Sequence, residues 1–185
     1  MGNSIDQLRR RTAAQAAALL ALCLPAAAFA AGQPARKPVS TNAADTQYIE
    51  RGRYLVRIAG CNDCHTAGYA QTAGQVPEKE WLLGDQLGFR GPWGTTYPAN
   101  LRMTMTALGE DDWIKAAQTV KLRPPMPWFA LRDMDKEDLR AIYRFVRHLG
   151  PAGKPAPAYL PPGQAPAGPA VQFPGPPPGA AAALK

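Results

Sequence analysis

Cys61-Asn62-Asp63-Cys64-His65 is the stretch on which the reading of this chain turns. A Cys-x-x-Cys-His run is the attachment signature of c-type haem: two thiols bond the porphyrin edge and the next residue offers an imidazole to the iron. The two-residue spacer bends the chain so that both sulfurs reach one edge of a flat ring. Two plainer readings compete. A redox dithiol wants a βαβ setting, which the flanking pattern does not supply. A zinc site would need about two further Cys or His ligands, and beyond the run only His148 and Cys23 remain. Cys23 lies in an apolar N-terminal segment expected to be removed, which leaves one covalently attached haem, with Cys61 and Cys64 as its attachment points and His65 as its proximal ligand.

Residues 1–30 read as a secretory signal peptide, with Arg9-Arg10-Arg11, an apolar region from Ala13 to Leu24 and an Ala28-Phe29-Ala30 cleavage site. The apolar run is shorter than the ~20 residues of a spanning helix, so a retained anchor is the weaker reading. The expected location is the periplasm. Loss of Arg9, Arg10, Arg11 and Asp6 lowers the formal net charge from +7 to +5. A mildly basic chain favours acidic protein partners or anionic membrane surfaces. Its Lys and Arg residues are scattered, without the dense stripe that nucleic acid requires.

Residues 31–44 read as a flexible leader. From there Ile49, Gly52, Leu55, Val56 and Ala59 recur at helical spacing and predict an amphipathic helix running into the Cys61–His65 turn, with Asp45 as its cap. Gly52 costs helix stability, so its expected use is close approach by another helix. Residues 66–100 are Gly- and Pro-rich with large apolar groups between, including Trp81, Leu82, Phe89 and Trp93. So long a loop is uncommon inside a domain and suits one wrapped around an apolar cofactor, although packing of each aromatic on protein is an equal reading. Helices are predicted over residues 109–120, opening on Glu110-Asp111-Asp112, and over 135–149, capped by Asp135 and stopped by Gly150-Pro151. Residues 151–185, rich in Pro, Ala and Gly, read as an extended or disordered tail, with Tyr159-Leu160 and Val171-Gln172-Phe173 as places where it could be tacked down.

A second iron ligand has five candidates. His148 sits away from the apolar stripe of its helix, Met134 suits a staple against that helix, and Met103 and Met105 alternate in Leu101-Arg102-Met103-Thr104-Met105. Met126 stands between Pro125 and Pro127, so its backbone has little freedom to lose when a weak thioether–iron bond forms.

Taken together, GRYLVRIAGCNDCHT, GPWGTTYPANL, RPPMPW and DLRAIYRFVRHLGP resemble the class I monohaem c-type cytochromes, and more narrowly the cytochrome modules associated with bacterial periplasmic dehydrogenases. The resemblance covers about residues 45–150. It implies an all-α class I cytochrome c fold, with first and last helices crossing near Gly52 and the Tyr143 stripe and long loops wrapped around one haem c. It implies Met126 as the axial sulfur opposite His65. Such ligation raises the reduction potential relative to bis-His and leaves no open position for oxygen chemistry. The expected function is one-electron transfer without catalysis, from a dehydrogenase towards a respiratory oxidase, as a free carrier or a complex subunit. Arg57, Arg102, Lys121 and Arg123 are candidates to steer an acidic partner. The competing class is a haem enzyme or gas sensor with an open or displaceable sixth site.

Overall fold

The computed structural model describes residues 43–175, so the signal segment, nearly all of the leader and the last ten residues of the chain lie outside the described residues. The first helix of the described residues, α1, spans Ala43–Ile58 and buries Ile49, Gly52, Leu55 and Val56 on one face. Asp45 lies within its first turn and pairs with Arg144, and Arg57 lies in its last turn. Gly60, at φ 72°, turns the chain directly into α2, Cys61–His65.

Next come irregular turns, a short 3-10 turn at Glu78–Glu80 and a hairpin of β1, Gly88–Gly91, with β2, Gly94–Thr96. Helices α3 (Leu101–Ala107), α4 (Glu110–Thr119), α5 (Trp128–Arg132) and α6 (Lys136–Leu149) follow. The acidic residues Glu110, Asp111 and Asp112 at the start of α4 and Glu137 and Asp138 at the start of α6 match the positive ends of those helices. Asp135 holds the N-cap position of α6, but its side chain makes no cap bond. Asn100 does cap α3, accepting from the Met103 N–H at 3.1 Å.

Helices α1 and α6 pack across each other at Gly52. A Cβ there would lie 2.0 Å from the Ala141 carbonyl oxygen and 2.7 Å from Phe145 Cβ. The crossing therefore falls on Ala141 and Phe145. Tyr143 turns aside, its ring 6.2 Å from Trp113 of α4 and its hydroxyl donating to the Leu108 carbonyl. The core between these helices contains Val56, Leu82, Met105, Leu139, Phe145 and Val146, each almost fully buried.

The fold is mostly helical but not all-α. The hairpin gains a third strand, β3 (Ala170–Gln172), which lies parallel to β1 in the order β2-β1-β3 and pairs Phe89 with Val171. Residues 151–173 run extended over the domain to reach it. Leu160 bridges Thr95, and Phe173 packs against Phe89 and Trp93. Trp81 packs edge-on against Tyr69 and Phe145, so Trp81, Phe89 and Trp93 each have a protein ring partner. No helix of the described residues is long and apolar enough to cross a membrane.

Candidate functional site

Helix α2 sets Cys61 and Cys64 three positions apart, so both thiols rise from one face. Both are half-buried and neither is in a disulfide. Burial pushes the Cys61 thiol up to about 11, and burial with the nearby carboxylates of Asp63 and Asp85 raises Cys64 as well. A redox dithiol needs the opposite, a lowered thiol.

The imidazole of His65 is held by a single directional contact. Its Nδ1 lies 2.7 Å from the Ala99 carbonyl oxygen. A carbonyl can only accept, so Nδ1 carries the proton and Nε2 keeps its lone pair. Burial lowers the pKa of this imidazole, and the bond to Ala99 partly opposes that. The neutral ring with a free Nε2 is the form that ligates metal.

The backbone around the imidazole is fixed from two sides. Gly84 donates its N–H to the His65 carbonyl at 2.8 Å, and Thr66 bridges Gly84 as in a parallel sheet. The buried Thr66 hydroxyl donates to Asn62 Oδ1 at 2.7 Å and accepts the Leu82 N–H at 2.8 Å. Leu82, fully buried at φ 63°, is an uncommon backbone state for a bulky residue. Its carbonyl accepts the Leu101 N–H at 3.0 Å, so bonds on both sides hold it there.

Met126 is half-buried in the turn between α4 and α5. That turn closes with the Met126 N–H on the Arg123 carbonyl at 3.3 Å and the Trp128 N–H on the Met126 carbonyl at 2.9 Å. The Thr96 hydroxyl donates to the Pro124 carbonyl at 2.7 Å. Thr96 and Ala99 are thus anchors for the Met126 turn and for His65, and extended chain sets them no more than about 11 Å apart. Beside the turn Val120, Leu122 and Phe129 are large apolar side chains left exposed.

The other ligand candidates stand elsewhere. Met105 is buried in the core, Met103 is exposed on α3, Met134 packs at the core's margin and His148 is exposed at the end of α6. Arg102, expected on a partner-facing edge, is buried. Its guanidinium donates to the carbonyls of Lys79, Leu149 and Gly150, so it closes the C-terminal end of α6. The role of Ala99 has no side-chain signal in the sequence. Asn100, a capping residue directly before a short apolar run, is the one cue that marks where that segment ends.

Among the described residues no three His, Cys, Asp or Glu side chains cluster as an all-protein ion site requires. The donor set fits a haem of the c type instead: two unpaired thiols one turn apart, an imidazole with Nε2 free, and a thioether in a braced turn. First and last helices crossing at a glycine, with a Cys-x-x-Cys-His turn following the first, is the design expected of a cytochrome c module.

Known proteins point the same way. The chain is 28% identical over 123 residues to the cytochrome c subunit of a quinone alcohol dehydrogenase from Gluconacetobacter polyoxogenes, a match covering 60% of this chain and 24% of that protein. It is 28% identical over 115 residues to the corresponding subunit from Gluconobacter oxydans, covering 57% and 22%. It is 29% identical over 141 residues to the cytochrome c subunit of gluconate 2-dehydrogenase from Pantoea cypripedii, covering 70% and 28%. The chain therefore spans about a quarter of the length of these curated relatives. No protein-family profile matches the chain, and no solved structure matches it. The likeness to cytochrome c subunits of bacterial dehydrogenases thus rests on sequence similarity as well as on the motif.

Proposed function

We propose that this chain is a periplasmic electron-transfer protein that binds one haem c through Cys61 and Cys64, with His65 and Met126 as its axial ligands. The observation that carries the reading is the bond from His65 Nδ1 to Ala99, which leaves Nε2 free beside two unpaired thiols. When bound, haem c supplies a ferric/ferrous couple that takes up and gives back one electron. The protein's part is to hold both ligands still, so that little reorganisation accompanies the change of charge. Ala99 and Gly84 fix the imidazole, Thr96 braces the Met126 turn, and the core around Leu82 excludes water. The apolar surface of Val120, Leu122 and Phe129 is of the kind a flat hydrophobic ring covers.

The donor is a dehydrogenase, by the names of the relatives, and the acceptor lies on the route to a respiratory oxidase. The protein serves as a carrier or a subunit and is not itself the catalyst. The exposed cations Arg57 and Lys121 steer an acidic partner. The expected localisation depends on residues 1–30, which lie outside the described residues.

The test is spectroscopic. Protein exported from a host that matures c-type haem shows one pyridine haemochrome per chain, and the ferric holoprotein shows the near-infrared sulfur-to-iron band. Met126→Ala abolishes that band. A band that survives the substitution removes Met126 from the site, and rapid, tight carbon monoxide binding by the ferrous wild type replaces the carrier reading with that of an enzyme or sensor.

A further inference from the structure

The chain beyond α6 does more than follow the domain. Between Pro151 and Phe173 it is laid across β2 by backbone pairing: the Thr95 N–H donates to the Leu160 carbonyl at 2.8 Å and the Leu160 N–H to the Thr95 carbonyl at 3.0 Å. Gly94, at φ 98°, makes room for this approach, since a Cβ there would stand 2.2 Å from the Leu160 oxygen. The Tyr159 hydroxyl donates to the Trp93 carbonyl at 2.8 Å. One residue type thus opens the groove, and a hydroxyl locks the strap into it.

The same strap touches the Met126 turn. The Arg123 guanidinium carbon stands 3.9 Å from the centroid of the Tyr159 ring, close stacking for a cation on an aromatic face. Arg123 is the residue whose carbonyl closes the turn on the Met126 N–H. From the other side, the Thr96 hydroxyl holds the Pro124 carbonyl. Residues 123 and 124 are therefore gripped by the strap directly and by the strand on which the strap lies.

We propose that Tyr159 is a positioning residue for Met126: by stacking on Arg123 and bonding Trp93, it fixes the turn that carries the axial thioether. The inference rests on Met126 being that ligand. A thioether is a weak donor and needs a braced turn to compete with other ligands. The sequence reads as an extended or disordered tail that Tyr159-Leu160 could tack down, and these contacts give Tyr159 a task at the site.

The experiment is a titration of the ferric holoprotein with imidazole, which competes for the sixth position, followed by the loss of the sulfur-to-iron band. Tyr159→Ala raises the apparent imidazole affinity about tenfold, and Arg123→Ala about threefold. The double variant rises no further than Tyr159→Ala, because both act through one contact. Tyr159→Phe, which keeps the ring and loses the hydroxyl, falls between wild type and Tyr159→Ala. Phe173→Ala loosens the same strap on Phe89 and Trp93 away from Arg123, and it leaves the affinity unchanged.

Wild-type affinity in Tyr159→Ala, with the band lost in Met126→Ala, overturns the positioning role and leaves the axial assignment standing. An equal rise in Phe173→Ala also overturns it, since any loosening of the strap would then suffice. If Met126→Ala keeps the band, both the assignment and the inference built on it fall.

Discussion

The Ala99 carbonyl accepts the Nδ1–H of His65 at 2.7 Å, and Gly84 packs directly behind it. A Cβ on residue 84 would lie 2.7 Å from the Pro98 oxygen, 2.9 Å from the Asn100 nitrogen and 3.0 Å from the Ala99 carbonyl carbon, all backbone atoms that cannot swing aside. Gly84 also sits at φ 80°, which an L side chain adopts at a cost of about 1–2 kcal/mol. Gly84→Ala should destabilise the protein by about 3 kcal/mol. It should also lengthen the His65–Ala99 bond. A weaker bond makes the imidazole less basic, so the reduction potential of the haem-loaded variant should rise. Redox titration beside urea unfolding checks both effects, and a potential equal to wild type would separate Gly84 from the imidazole.

Gly52 and Ala141 decide how closely the first and last helices meet. In an isolated helix Gly52→Ala would gain about 1 kcal/mol, whereas here the new methyl group meets the Ala141 carbonyl. Overpacking of this kind costs about 1–3 kcal/mol and more when the obstacle is backbone. The expected net loss is about 2 kcal/mol, seen as a lower urea midpoint at unchanged slope. A stabilised variant would mean that the helices can slide apart freely.

Arg102 is the buried cation among the described residues and closes α6 by donating to three carbonyls. Arg102→Met leaves those carbonyls without their donor, and stability should fall by about 3 kcal/mol. Lysine keeps the charge but not the planar fork that spans three acceptors, so Arg102→Lys should recover only part of the loss. Because Arg102 faces inward, the salt dependence of electron transfer should be the same in Arg102→Lys as in wild type. A changed salt slope would return this residue to the partner surface.

Helical stripes were legible because their spacing is local. Ile49, Gly52 and Val56 mark α1, the acidic triplet 110–112 marks α4, and Leu139 to Val146 mark α6, each within a residue or two of the observed limits. The Cys61–His65 turn was legible because its chemistry is written in five adjacent side chains. The small sheet was not, since β3 is three residues long and pairs with a strand some eighty positions earlier. A strand that short carries no period, and its Pro- and Gly-rich surroundings read as tail. Helix α3 was hidden by the threonines at 104 and 106, although Asn100 gave its cap. The grip on His65 comes from a backbone carbonyl, which every residue possesses, and only the folded chain selects Ala99 for it.

Acid should weaken α1 and its seam with α6 through carboxylates held below their ordinary pKa of 4.5. Glu137 of α6 is lowered first by the hydroxyl of Tyr48 of α1 and then by Arg140 and Arg144, and Glu50, within α1, is lowered first by its bond to Arg53 and so adds to the stability of that helix, not to the seam. A carboxylate whose folded pKa lies below its unfolded value contributes stability that is fully present above the unfolded value and is lost as pH falls through the folded one. Between pH about 6 and about 3 the urea midpoint of the wild type should therefore fall. Tyr48→Phe removes the leading cause at Glu137, so its midpoint should fall less steeply over the same range and should meet that of the wild type at the acid end. Raised salt should shrink the difference, because both partners are near the surface. Parallel curves for the two proteins would show that Tyr48 and Glu137 contribute nothing to the seam.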